Sequence, residues 1–259
     1  MPDLYFQFKR FTVRHDQCAM KVGTDGVLLG AWAMVTHTDA NRGVDRNTTA
    51  LQQADRRNNQ RFSALDVGTG TGLIALMIAQ RNAEAEINAI DIDHDACKQA
   101  AENVERSPFK DRIRVFHQPF LEYTTERKYD LVVSNPPYFS ASLKSPDKKR
   151  SAARHNDSLP LKLLIEHALT MLVDDGKIAL ILPVTSSGEI DFIIATHRLY
   201  LLRRTEVISV EGLKPKRFLI ELSAKAPPGY APTTDQLILT TTQQERTQTY
   251  NHLTKDFYL

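Results

Sequence analysis

The turn Asn135-Pro136-Pro137-Tyr138 follows an apolar segment, Tyr129 to Ser134, that is typical of a buried strand. The prolines remove two backbone donors and stiffen the turn, which leaves the Asn135 amide and the Pro136 carbonyl facing a ligand as acceptors. Two acceptors can bind the hydrogens of a planar exocyclic amine and favour a pyramidal, nucleophilic nitrogen. This predicts methyl transfer to an amine, with Asn135 and Pro136 as catalytic candidates. The alternative is an ordinary Asn-Pro-Pro turn.

Aromatic and basic residues follow this turn. The ring of Tyr138, also a catalytic candidate, would stack on a flipped-out base, and Phe139 extends that face or packs beneath it. A basic loop beside a pocket can bind a phosphate backbone, although most charge runs are solvated loops. The candidate phosphate-binding residues of this loop are Lys144, Lys148, Lys149, Arg150 and Arg154. Smaller basic groups lie at residues 9–14 and 214–217.

A glycine-rich turn, Gly68-Thr69-Gly70-Thr71-Gly72, connects an apolar strand to an apolar helix. Glycines permit a tight turn and close approach of a ligand to the backbone. The spacing is not the G-x-G-x-x-G of dinucleotide-binding folds, and Asp66 would repel a pyrophosphate. A cationic nucleoside without phosphate fits better, and S-adenosylmethionine is one. We therefore predict that Asp66, Gly68, Gly70 and Gly72 bind this cofactor.

A second acid supports a nucleoside cofactor. Asp91 ends the next predicted strand, nineteen residues after Gly72, and an acid about 20 residues after the glycines accepts hydrogen bonds from a ribose diol. Asp93 is the alternative, because it lies on the same face of an extended chain. Ile92 is a further candidate cofactor contact. Phe120, after the following strand, is a candidate contact for the adenine ring, and Asn135 is also included among the cofactor contacts.

The N-terminal residues 1–35 form a predicted strand and helix element that closes one side of the pocket. Lys21, Thr24 and Asp25 are candidate contacts for the methionine end of the cofactor. An equally supported alternative is that Thr24 and Asp25 cap a helix from Val27 to Met34 and do not contact the cofactor. Residues 36–61 are polar and are predicted to be a mobile insertion.

Strands alternate with helices after residue 61, which predicts an α/β, doubly wound, mostly parallel sheet of seven strands. The segments Arg203 to Val210 and Phe218 to Ser223 predict an antiparallel hairpin at its edge. Residues 1–259 are interpreted as a single domain. Because ligands bind at the carboxyl ends of parallel strands, Asp66, Asp91 and Asn135 should lie around one crevice.

Composition excludes few functions. The chain has 33 basic and 31 acidic residues, a net charge of +2, so bulk charge does not identify a partner. Its two cysteines, Cys18 and Cys97, do not have a metal-ligand spacing, and we expect no bound metal. Neither a secretory signal nor an apolar stretch of membrane-spanning length is evident. We therefore expect a cytoplasmic protein that does not bind membranes.

With these residues identified, the chain resembles the bacterial tRNA adenine-N6 methyltransferases that modify valine tRNA at the adenine 3′ of the anticodon. The most specific segment is residues 18–32, and the glycine turn, the Asn135–Phe139 run and the last four residues, 256–259, also match. The resemblance covers nearly the whole chain except the polar insertion. It implies a Rossmann-like class I fold, S-adenosylmethionine as methyl donor and N6-methyladenosine in tRNA as product. It assigns cofactor binding to Gly68, Gly70 and Asp91, and target-amine binding to Asn135.

Other functions are compatible with the same motifs. A protein glutamine methyltransferase and a ribosomal RNA guanine-N2 methyltransferase can also have an Asn-Pro-Pro-aromatic turn. An RNA-binding module without turnover is a further alternative, against which the intact Asn135 and glycines argue. We expect a monomer.

Overall fold

The central feature of the fold is an eight-stranded sheet. The computed structural model describes residues 4–18, 21–35, 61–137 and 159–259. The sheet strands are β3 (Ser63–Val67), β4 (Glu86–Asp91), β5 (Ile113–His117), β6 (Tyr129–Ser134), β7 (Leu172–Pro183), β8 (Tyr200–Val210), β9 (Arg217–Ser223) and β10 (Thr233–Thr240). A separate antiparallel pair is formed by β1 (Tyr5–Gln7) and β2 (Thr12–Arg14). The α-helices of the described residues are α1 (Thr24–Trp32), α2 (Leu73–Arg81), α3 (His94–Glu105), α4 (Leu161–Met171), α5 (Ser187–His197) and α6 (Gln248–Thr254).

The strand order is β10-β8-β9-β7-β6-β3-β4-β5. The five strands from β7 to β5 are parallel, β9 is antiparallel to both β7 and β8, and β10 is parallel to β8. The chain order reverses at β3, whose neighbours are β4 and β6. In the register Val67 is level with both Ile90 and Ser134, so three carboxyl ends meet at one edge. That edge is the usual ligand position in an open α/β sheet.

The α/β, mostly parallel architecture agrees with the sequence prediction, but the strand count does not. The sheet has eight strands because β10 pairs with β8, which places the predicted β8–β9 hairpin inside the sheet. The first half of β10 is polar and exposed, and only Leu237 and Leu239 are buried. Its apolar alternation is therefore too short to reveal a full strand in the sequence.

Apolar side chains cover both faces of the sheet, as a buried parallel sheet requires. All five residues of β3 are buried. Their side chains alternate: Ala64 packs in one core cluster, and Leu65 and Val67 pack in the other. No helix in the described ranges is long and apolar enough to cross a bilayer.

The N-terminal helix α1 packs closely on α2. A Cβ added at Gly30 would lie 2.7 Å from Sδ of Met77, so the helices approach within a distance that only glycine permits. The predicted capping of this helix by Thr24 or Asp25 is wrong. The helix begins at Thr24, and Gly23 is the N-cap residue without a side-chain cap. Of the predicted polar insertion, residues 36–60 lie outside the described residues.

Candidate active site

The glycine loop connects β3 to α2 with unusual backbone geometry. Gly68, Gly70 and Gly72 have φ values of 71°, 54° and 81°, in the left-handed region that favours glycine. Cβ atoms added at Gly68 or Gly70 would meet nothing within 4 Å. Both glycines therefore face open space, and both line a cavity at the sheet edge.

Gly72 has a different role. It is buried at the N-cap of α2, and a Cβ there would lie 3.3 Å from Cβ of Ala100 in α3. It does not line the cavity, whereas Gly68 and Gly70 do. At Gly72 the structure shows close packing of the loop on α3, and the predicted cofactor contact of this glycine stays a prediction.

Asp66 lies behind the loop rather than in the cavity wall. It is fully buried, and its Oδ2 accepts hydrogen bonds from Thr69 Oγ1 at 2.6 Å and the Ala75 N–H at 3.2 Å. Burial raises the pKa of Asp66 to about 7, although these two hydrogen bonds act in the opposite direction. The side chain holds the glycine loop from behind, and Asp66 does not line the cavity; its predicted contact with the cofactor stays a prediction.

Asp91 ends β4 and lines the cavity. Its Oδ2 accepts from the Gly70 N–H at 2.8 Å, and its Oδ1 accepts from the Asp93 N–H at 3.0 Å. Burial raises its pKa, opposed by these backbone bonds. The alternative acid, Asp93, also lines the cavity, but its Oδ1 caps α3 by accepting from the Ala96 N–H at 2.9 Å. Asp91 is therefore the better-placed carboxylate for a ribose diol.

An apolar part of the wall lies beside Asp91. Ile92 is 53% exposed and lines the cavity. Phe120 begins a short 3₁₀ turn, Phe120–Glu122, and also faces this cavity. A planar adenine ring would cover such surface favourably.

The Asn135 turn lies at the same sheet edge. Oγ of Ser134 donates to the Val67 carbonyl at 2.7 Å, which fixes the end of β6 against the end of β3. Asn135, Pro136 and Pro137 line the cavity. The other substrate-side candidates, Tyr138, Phe139, Lys144, Lys148, Lys149, Arg150 and Arg154, lie outside the described residues.

The N-terminus of α1 forms another side of the cavity, with Lys21, Thr24 and Asp25 in the wall. Nη1 of Arg217 donates to Oδ1 of Asp25. Burial raises the pKa of Asp25, and the neighbouring Arg217 guanidinium lowers it. Asp25 is thus part of an ion pair, not a helix cap.

These parts enclose one cavity of about 730 Å³, within the usual size range of small-ligand sites. It joins the glycine loop, Asp91, the Asn135 turn and the α1 N-terminus. Among the described residues, no group of three or more His, Cys, Asp or Glu side chains could hold a metal ion. The cavity can therefore hold a nucleoside against Asp91 with acceptors for an amine at its other side.

Comparison with known proteins agrees with this geometry. The family model of the methyltransferase small domain matches residues 36–186. A Parabacteroides distasonis protein named tRNA1(Val) (adenine(37)-N6)-methyltransferase is 46% identical over 100% of this chain and 99% of its own length. A Flavobacterium johnsoniae protein of the same name is 38% identical over 98% and 99%. This chain belongs to the tRNA1(Val) (adenine(37)-N6)-methyltransferase family.

Solved structures support the fold of this methyltransferase. A protein described as a predicted O-methyltransferase from Agrobacterium tumefaciens has a TM-score of 0.62 and 18% identity, covering 90% of this chain and 96% of that one. The human methyltransferase 10 domain containing protein has a TM-score of 0.53 and 18% identity, covering 81% and 87%. At these identities the likeness concerns the fold alone.

Two residues that were not predicted from the sequence motifs also line the methyltransferase cavity, Cys18 and Arg217. Cys18 lines the wall, and burial together with nearby carboxylates, Asp91 first, raises the pKa of its thiol to about 12. The thiol is thus protonated and is not a nucleophile at neutral pH. Arg217 belongs to the small basic group at residues 214–217, and nothing in the sequence indicates its pairing with Asp25, which depends on the direction of β9.

Proposed function

We propose that this protein transfers a methyl group from S-adenosylmethionine to N6 of the adenine at position 37, 3′ of the anticodon, in valine tRNA. The main support is that the Asn135 turn shares one cavity with the glycine loop and Asp91. The names of full-length relatives supply the substrate. A tRNA substrate would place the reaction in the cytoplasm.

The residues of the cavity fit S-adenosylmethionine. Open space at Gly68 and Gly70 allows the loop backbone to contact the ligand. Asp91 would accept from the ribose hydroxyls, while Ile92 and Phe120 would cover the adenine. The α1 N-terminus, with Lys21, would bind the methionine carboxylate, because free backbone N–H groups at a helix start attract anions. When bound, this cofactor would supply an electrophilic methyl group on a sulfonium, and it would leave as the neutral thioether S-adenosylhomocysteine.

The Asn135 turn would hold the target amine. The Asn135 side-chain oxygen and the Pro136 carbonyl each accept one N6 hydrogen, which fixes the nitrogen and draws its lone pair out of conjugation with the ring. As the nitrogen gains the methyl group it becomes positively charged, and the two acceptor oxygens stabilise that charge. The surplus proton is then lost to water. The proposed roles of Tyr138 and Phe139 in stacking, and of the basic residues 144–154 in backbone contact, complete substrate binding.

The test is methylation with isotopically labelled S-adenosylmethionine and separate pools of unmodified valine tRNA, ribosomal RNA and release factor. We expect N6-methyladenosine in valine tRNA, identified by mass spectrometry of the digested product. A transcript with guanine in place of adenine 37 is the matched control and should remain unmethylated.

Other products would contradict the proposed substrate. Methylguanosine in ribosomal RNA or methylglutamine in release factor would retain the fold and the cofactor but replace the tRNA. Cofactor binding without methyl transfer to any pool would indicate a binding module.

A further inference from the structure

The Asp25–Arg217 ion pair connects α1 to the first residue of β9. Both side chains line the cavity and are about one quarter exposed, 25% and 26%. An exposed surface pair contributes little to stability, but a largely buried pair in a cavity wall fixes the orientation of its arginine. The pair is therefore placed to act on a ligand.

The sheet order places Arg217 on the Asn135 side of the cavity. Since β9 is antiparallel to β7, Arg217 is level with Pro183 at the end of β7. In the order β9-β7-β6-β3-β4, β6 is two strands from β9 and β4 is four strands away. At about 4.8 Å per strand, the Arg217 backbone lies roughly 10 Å from β6 and roughly 19 Å from the strand that ends at Asp91. An arginine side chain covers most of the first distance and not the second.

The guanidinium of Arg217 has donors to spare. Arginine has five side-chain N–H groups. Within the described part of the chain, the side chain of Arg217 donates its hydrogen bond to Asp25. Among the described residues, the buried Nε of Arg217 has no hydrogen-bond partner. The side chain is 26% exposed and lines the cavity, so the terminal N–H groups that Asp25 does not occupy are the donors available to a ligand with acceptor oxygens.

We propose that Arg217 binds a phosphate group of the target nucleotide and that Asp25 positions its guanidinium. The inference rests on the proposed function, because an adenosine whose N6 lies at Asn135 brings its flanking phosphates toward that side of the cavity. Arginine binds phosphate through two parallel N–H···O bonds, a geometry that lysine does not provide.

The other oxyanion in the reaction is the cofactor carboxylate, which has a better place. The start of α1 lies against the start of α2 beside the glycine loop, since a Cβ added at Gly26 would be 3.0 Å from Leu73. Gly23 leaves the first turn of α1 without a side-chain cap. These donors, with Lys21, suit the carboxylate and leave Arg217 for the RNA.

The test measures two affinities that do not require turnover: that of valine tRNA in the presence of S-adenosylhomocysteine, and that of S-adenosylhomocysteine alone. Arg217→Gln should weaken tRNA binding by about tenfold or more and leave the affinity for S-adenosylhomocysteine unchanged. Arg217→Lys and Asp25→Asn should weaken tRNA binding less. Arg114→Gln is the control, because Arg114 is an exposed arginine on β5 and does not line the cavity. Thermal melting confirms that each variant folds.

A second arm identifies the phosphate. Valine tRNA is assembled by ligation with a neutral methylphosphonate on the 5′ or the 3′ side of the target adenosine. One of the two should weaken binding to the wild type, and it should add no further loss in Arg217→Gln, since both changes remove the same interaction.

Two results would overturn the proposal. The first is that the methylphosphonate and Arg217→Gln weaken tRNA binding additively. The second is that Arg217→Gln lowers the affinity for S-adenosylhomocysteine but not for tRNA. Failure of the wild type to methylate tRNA would reject the proposed function separately, because the binding measurements are read without catalysis.

Discussion

The backbone N–H of Gly70 donates a 2.8 Å hydrogen bond to Oδ2 of Asp91. This bond joins the glycine loop after β3 to the acid at the end of β4. Gly70 has a φ of 54°, so the bond holds a backbone conformation that favours glycine. One carboxylate therefore both fixes the loop and faces the cavity that a nucleoside would occupy.

Asp91→Ala should weaken binding of S-adenosylhomocysteine by about 1.5–3 kcal/mol, or tenfold and more, because a charged acceptor for the ribose is lost. The loss also leaves the Gly70 N–H without its acceptor. Isothermal titration calorimetry measures the change.

Asp93→Asn is the matched control for Asp91. Asp93 caps α3, and asparagine is an equally good N-cap residue, so affinity and stability should both stay close to the wild type. The opposite result would assign the ribose to Asp93: a lower affinity for S-adenosylhomocysteine in Asp93→Asn, and an unchanged affinity in Asp91→Ala.

Many of the residues singled out from the sequence line the cavity, because strand ends and glycine loops are local patterns. Asp91, Asn135 and the glycines each follow an apolar strand, and parallel pairing alone brings strand ends together. Local patterns could not show that Gly72 differs from Gly68 and Gly70, because the difference is its contact with Ala100 on another helix.

The wrong predictions, the cap of α1 and the strand count, both depend on contacts between distant parts of the chain. Aspartate is a residue type that often caps helices, but the partner of Asp25 is Arg217, which lies 192 positions away along the chain. The full length of β10 depends on pairing with β8, not on its own exposed first half.

The two kinds of glycine should respond differently to alanine. Both Gly70→Ala and Gly72→Ala place a Cβ in the left-handed region, at a cost of about 1–2 kcal/mol. Gly72→Ala adds a tight contact of 3.3 Å with Ala100 and should lower the free energy of unfolding further. Gly70→Ala extends into open space and should mainly weaken cofactor binding.

Urea unfolding and calorimetric titration of the two glycine variants separate these effects. Equal losses of cofactor affinity, at equal stability, would show that Gly72 also contacts the ligand and that the packing explanation is wrong.

Asn135→Ala should lower kcat by about 10²–10³, the usual effect of removing one preorganised polar group that stabilises developing charge. The amine would keep only the Pro136 carbonyl as acceptor. Single-turnover methylation of valine tRNA measures the step directly.

Ser134→Ala is the control for Asn135. It removes the 2.7 Å bond to the Val67 carbonyl at the neighbouring residue and should affect stability more than the rate of transfer. Full activity in Asn135→Ala would reject the amine-binding role.

Asp66 should make stability depend on pH. Burial raises its pKa to about 7 from an unfolded value of about 3.9, so between these values the folded protein binds the proton more tightly than the unfolded chain. The slope of unfolding free energy with pH is then negative, and this contribution to stability is lost as pH rises from about 4 to about 7. Asp66→Asn cannot ionise and should lack this loss. Urea unfolding of both proteins from pH 4.5 to 8 isolates the effect in their difference, because the remaining groups are shared. A difference that stays constant across this range would mean that Asp66 is ionised throughout, with Thr69 and Ala75 stabilising the buried charge.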